Sequence, residues 1–226
     1  MIFILKSTFN CPICEYKKIK DGNFSVGDFV EKNWIENYFP SMGLSFKKIL
    51  EQRIKKTLDG YILNNKEQLS LTEIKFLDYS KQELKYSNNK NKDEYLHREF
   101  PDKRLQREIS KAKKQLKTIK FEGPKIIYFI TQSREVDLQS LRNAVLGESY
   151  IKIDENGNIP CQGYSGLIDK NRNRFVDGFL TAIIVFCCNP YNKHELWLFE
   201  NRKSEYTLPK QLIDNVYLSS HDIYKK

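Results

Sequence analysis

The stretch "PKIIYFIT" (residues 124–131) limits this chain more than any other. An apolar run of strand length with no polar alternation has no wet side, so it reads as a strand buried on both faces. Just before it, "DKRLQREISKAKKQLKTI" (102–119) spaces Leu105, Ile109, Ala112 and Leu116 helically among charged residues. That pattern predicts an amphipathic helix packed against the sheet to which the buried strand belongs. Helix and buried strand together point to an α/β sandwich with a mixed central sheet.

The remaining segments fit that class. "VGDFVEKNWIENYF" (26–39) sets Val30, Trp34, Ile35 and Tyr38 on one face of a helix, with Pro40 and Gly43 expected to end it. Glu31 falls inside that apolar stripe, while Glu36 projects from the opposite face. Residues 44–57 suit either a helix or a strand. "LDGYIL" (58–63) reads as a strand, "NNKEQ" as a hairpin turn, and "LSLTEIKFL" (69–77) as a second strand. Its alternation sets Leu69, Leu71, Glu73 and Lys75 against Ser70, Thr72, Ile74 and Phe76. Residues 78–102 read as a polar loop, "VDLQSLRNAVLG" (136–147) as a short helix, and 154–178 as a Gly-containing loop. "FLTAIIVFCC" is a helix or strand, and "ELWLFE" (195–200) a strand. The expected organisation is a lead-in over 1–25 followed by one domain over 26–226.

With 226 residues, 40% hydrophobic and 13% aromatic, the composition is globular. The apolar run Phe179–Cys188 is too short to cross a bilayer, so no membrane partner is expected. "MIFILKSTF" lacks a basic leader and a small-residue cleavage site, which leaves a cytoplasmic protein as the expectation. Five cysteines make no even disulfide framework. The net charge of +9 suggests an anionic partner, and residues 81–120 hold 13 Lys or Arg against 6 Asp or Glu, which is +7 of it. A solvated helix face accounts for the same charge with no ligand at all.

Chemistry concentrates around residues 59–75. Asp59 opens one predicted strand, and Glu73 and Lys75 share a face of the next. Neighbouring strands lie about 4.8 Å apart, close enough for two carboxylates to converge on one cation. A hard divalent ion such as Mg²⁺ takes oxygen ligands and keeps several waters. It lowers the pKa of a bound water and neutralises charge on a phosphate. The plainer alternative is an exposed strand face carrying a charge pair.

"LDGYIL" followed by "LTEIKF" resembles the core motif of the PD-(D/E)XK nuclease superfamily, whose fold is restriction-endonuclease-like: an aspartate, a spacer, then Glu-x-Lys on the neighbouring strand. Here the spacer is Gly60–Thr72, and the resemblance covers residues 26–131. Leu58 stands where the family's proline would be. The resemblance implies a three-layer sandwich and Mg²⁺- or Mn²⁺-dependent hydrolysis of phosphodiesters, with DNA as the partner and a homodimer as the usual form for restriction-type members. It also implies that Asp59, Glu73 and Lys75 are catalytic, with metal held by Asp59, Glu73, the Ile74 carbonyl and a helix glutamate, Glu31 or Glu51. Lys103, Arg104, Arg107, Lys111, Lys113 and Lys114 would then follow the nucleic-acid backbone. Gln115 on the same helix is a further candidate, since some family members use a glutamine there.

Other motifs say less. "CPIC" offers Cys11 and Cys14, half of a tetrahedral Zn²⁺ site; Cys161, Cys187, His97, His194 or a second chain would have to complete it. Cys187 and Cys188 read as core thiols. Neither a histidine pair at metal spacing nor a nucleotide-binding glycine loop is present. The functional alternative is a non-catalytic nucleic-acid-binding or assembly protein on the same fold.

Overall fold

The structure, a computed structural model, describes residues 2–5, 26–49, 60–78, 103–133, 136, 138–146, 149–152, 157, 161–164, 178–188, 193–212 and 216–219. The strands are β1 (Ile2–Leu5), β2 (Ser45–Lys48), β3 (Gly60–Asn64), β4 (Glu67–Leu77), β5 (Lys125–Thr131), β6 (Ser149–Lys152), β7 (Cys161–Tyr164), β8 (Ala182–Cys188), β9 (Lys193–Glu200) and β10 (Val216–Ser219). The helices are α1 (Val26–Asn33), α2 (Lys103–Lys117) and α3 (Leu138–Leu146). Eight strands form one sheet in the order β10-β1-β9-β8-β5-β4-β3-β2, and β6 and β7 make a separate hairpin. The sheet is mixed: β5 runs parallel to both β4 and β8, and the other pairs are antiparallel.

All seven residues of β5 are buried, as its unbroken apolar run requires. Its even residues Ile126, Tyr128 and Ile130 enter a core with Val30, Trp34 and Tyr38 of the first helix. Its odd residues Ile127 and Phe129 enter a second core with Leu105, Ile109, Ala112 and Leu116 of α2 and Leu141 of α3. Helices therefore cover both faces. Those four α2 residues have no exposed surface, and each larger one contributes about 1.5–3 kcal/mol through burial.

After α1 the chain continues through a π-helical turn, Trp34–Tyr38, and a closing turn, Phe39–Ser41. Trp34 and Tyr38 stack with centroids 3.8 Å apart, and Phe39 meets Tyr128 edge-on at 5.5 Å. Pro40 lies inside the last turn and does not stop it; Gly43 does. With φ at +72°, Gly43 donates to Pro40 O (2.9 Å) and Leu44 to Phe39 O (2.9 Å), closing the helix in a Schellman motif.

Residues 45–48 resolve the helix-or-strand ambiguity as β2, and "FLTAIIVFCC" resolves as β8. The β3–β4 hairpin turns at Asn65 and Lys66, both at positive φ (47° and 75°), between the paired Asn64 and Glu67. Gly60 is fixed by packing: a Cβ there would collide with the Phe46 ring and lie 2.7 Å from Lys47 O. The segment 154–178 contains β7, so it is not all loop. Residues 2–5, placed in the lead-in by sequence, hydrogen-bond into the sheet as β1 between β9 and β10.

Candidate functional site

Strand β4 carries the candidate site, and a bulge sets which way its side chains point. Pairing passes from Ile62↔Ser70 to Leu63↔Gln68, which leaves Leu69 as an extra residue. Leu69 therefore joins the α1-side core, whereas Leu71 and Leu77 join the α2-side core. The simple alternation grouped Leu69 with Leu71, Glu73 and Lys75; the bulge removes Leu69 from that set. Glu73 and Lys75 do share a face, the one beneath α2.

That face is not wet. Glu73 has no exposed surface, and its carboxylate forms an ion pair with Lys75 Nζ. Neither Glu73 oxygen makes a hydrogen bond with a described residue besides that ion pair. Lys75 Nζ also donates to Gln115 Oε1 of α2 at 3.2 Å. An exposed strand-face charge pair is thereby excluded for Glu73. A buried carboxylate held by one lysine is expensive unless further partners meet it.

The edges of β4 are used differently. Leu71 N–H donates to Pro124 O and Leu77 O accepts from Gln132 N–H, so odd residues direct their backbone groups toward β5. Even residues face the β3 edge. Among the described residues, pairing with β3 reaches Gly60↔Thr72. Beyond that point the backbone groups of Ile74 and Phe76 face an edge with no described strand. Glu31 reaches this edge from the α1 side, and Phe76 N–H donates to Glu31 Oε1 at 3.0 Å. Burial pushes the Glu31 carboxyl up to about 7; the Phe76 bond and Lys75 oppose the rise and Asp28 adds to it.

Asp59, Glu51, Cys11, Cys14 and His97 lie outside the described residues, as do the side chains of Lys103, Cys161 and His194. The basic residues of α2 divide. Arg104 is tied to the ends of two strands, donating through Nη1 to Asp78 O (2.8 Å) and through Nη2 to Ser133 Oγ (3.2 Å). Arg104, Glu108, Lys111 and Gln115 recur every three or four residues along the flank beside Lys75. Arg107, Lys111 and Lys114 form an exposed crest next to it, with Lys111 also paired to Glu108 at 2.6 Å. By the same helical spacing Lys113 and Lys117 fall on the far flank, where Lys117 Nζ lies 5.1 Å from the Phe179 centroid.

Sequence reading missed the bracing of Arg104 and the cage around Lys125. Lys125 donates to Phe121 O (2.9 Å), and its ammonium lies 5.1 Å from the Phe179 ring centroid and 5.5 Å from that of Tyr206. Burial holds its pKa below the ordinary lysine value. Its one sequence signal is a lysine heading an apolar strand. Cys187 and Cys188 are buried, as expected of core cysteines.

The donors around Glu73 fit a hard divalent ion. A desolvated carboxylate with no partner among the described residues beyond Lys75, and a backbone carbonyl on Ile74, are the oxygen types that Mg²⁺ or Mn²⁺ takes. Among the described residues no three His, Cys, Asp or Glu side chains cluster at metal-binding range. Asp59, the other expected ligand, is not among those residues. No helix among the described residues is long and apolar enough to cross a membrane. No family model, curated protein or solved structure matches the chain.

Proposed function

We propose that this chain is a metal-dependent nuclease of the restriction-endonuclease-like type, acting on DNA. One observation carries the reading: Glu73, buried and with no partner among the described residues beyond its Lys75 ion pair, lies just past the last described β3–β4 pair. The element order supports it. A helix, the antiparallel β2–β3–β4 meander, a second helix and the parallel β5 follow the family's core.

Glu73 and the Ile74 carbonyl would hold Mg²⁺ or Mn²⁺, together with Asp59, the residue before Gly60 in the sequence. The bound ion supplies a water of lowered pKa and offsets charge building up on the phosphate. Lys75, steadied by Gln115 Oε1, presents its ammonium to a phosphate oxygen and to the attacking water. Helix α2 excludes bulk water from the Glu73 face, which strengthens each of these interactions. The crest of Arg107, Lys111 and Lys114 gives the backbone phosphates a salt-dependent, sequence-independent contact.

The test is cleavage of plasmid and oligonucleotide by purified protein with Mg²⁺ or Mn²⁺, beside Lys75→Ala and Glu73→Gln. Metal-dependent nicking by the wild type, lost in both variants, is the expected result. Equal background cleavage in all three sinks the enzymatic reading and leaves a nucleic-acid-binding protein on the same framework.

A further inference from the structure

We propose that Glu31 is a positioning residue that pins β4 past its last described pair with β3 by accepting the Phe76 N–H, and that the site needs its acceptor oxygen, not its charge or a metal bond. The proposal deepens the nuclease reading and rests on it only for its effect on cleavage. Three observations carry it. Even-numbered residues of β4 turn their backbone groups away from β5, so beyond Thr72 the Phe76 amide has no ladder partner among the described residues. Glu31 Oε1 takes that amide at 3.0 Å. And Glu31 arrives from the α1 side, whereas Glu73 and Lys75 project beneath α2 on the other face of the strand.

A buried amide without an acceptor is destabilising, and the ordinary remedy is a neighbouring strand. Here a side-chain acceptor satisfies the amide, two residues past Ile74, whose carbonyl belongs to the proposed metal set. Glu31 thus holds this stretch of β4 with a side chain from α1. It also fixes the backbone from which Lys75 projects, one residue before the pinned amide.

Two substitutions separate this role from metal ligation. Glu31→Gln keeps a side-chain oxygen that can accept the Phe76 N–H but removes the negative charge; Glu31→Ala removes both. In chelator, amide exchange at Phe76 read by NMR is expected to be nearly unchanged in Glu31→Gln and about tenfold faster in Glu31→Ala, the effect of one lost hydrogen bond. In cleavage assays Glu31→Gln is expected to stay within about threefold of wild type, with the Mg²⁺ concentration for half-maximal rate unmoved. Glu31→Ala is expected to lose rate, again without a shift in that Mg²⁺ concentration.

A Glu31→Gln protein that loses rate as fully as Glu31→Ala and needs more Mg²⁺ overturns the proposal in favour of a metal ligand. Fast Phe76 exchange in a folded Glu31→Gln protein also overturns it. If Glu31→Ala does not fold, Glu31→Gln alone decides by the same two readouts. Absence of cleavage in the wild type refutes the nuclease reading, while the exchange measurement still decides whether Glu31 pins the strand.

Discussion

Glu31 should make the protein less stable as pH rises through the neutral range. Its carboxyl is raised from 4.5 to about 7 in the folded chain, chiefly by burial. In the unfolded chain it loses its proton near the ordinary value, so between those two pH values the folded state holds the extra proton. Stability then falls as pH rises, because the unfolded state binds fewer protons. A shift of 7 − 4.5, or 2.5 units, corresponds to about 3 kcal/mol at full ionisation. Between about pH 5 and pH 8 the loss from this residue comes to about 2.5 kcal/mol. Glu31→Gln cannot ionise and should remove that increment. Urea unfolding of both proteins in chelator, at the two pH values, gives the contrast as a difference of differences, in which the other titrating groups cancel. Identical pH dependence in the two proteins, within about 0.5 kcal/mol, would refute the argument that burial dominates at Glu31.

Gln115→Ala should leave the fold nearly as stable but lower the cleavage rate about tenfold, because Lys75 loses its neutral acceptor; single-turnover kinetics beside an unfolding curve shows the split. Replacing Arg107, Lys111 and Lys114 with Ala should weaken DNA binding and flatten its salt dependence by about one unit of slope per lost phosphate contact, whereas Lys113→Ala with Lys117→Ala should not; salt titration of binding checks this. Gly60→Ala should lower stability by about 1–3 kcal/mol, because the added Cβ meets the Phe46 ring and the Lys47 carbonyl; the urea midpoint reads it.

The elements most legible in the sequence were those whose pattern has a single physical solution. The unbroken run at β5 and the stripe on α2 have no other stable placement, and both appear with their inward residues fully buried. Glu73 and Lys75 could be put on one face, but not which face, nor that it is dry; both depend on the cover provided by α2. The bulge at Leu69 carries no sequence mark, since leucine suits either core. β1 was unreadable because four residues gain their stability from β9 and β10, far away in sequence. Gln115, a candidate by family resemblance alone, does bond to Lys75, but the same helix hid the divided roles of its cations. Arg104 looks like any other basic residue until the ends of β4 and β5 come to meet it.

The parallel pairing on one side of β4 and the antiparallel hairpin on the other have a kinetic consequence. The β3–β4 hairpin closes across two residues, whereas Leu71↔Lys125 joins positions 125 − 71 = 54 apart and Ile126↔Ala182 positions 182 − 126 = 56 apart. Local closures are rapid, and distant parallel ones wait on larger loop entropy. Glu73 and Lys75 lie on the strand where these two timescales meet. A refolding chain can form their hairpin early and still leave Glu73 in water, because the α2 layer and β5 must dock before that carboxylate is desolvated. Recovery of the site should therefore follow the slowest folding phase, and a chain trapped before that phase would carry every residue of the site without its dry environment.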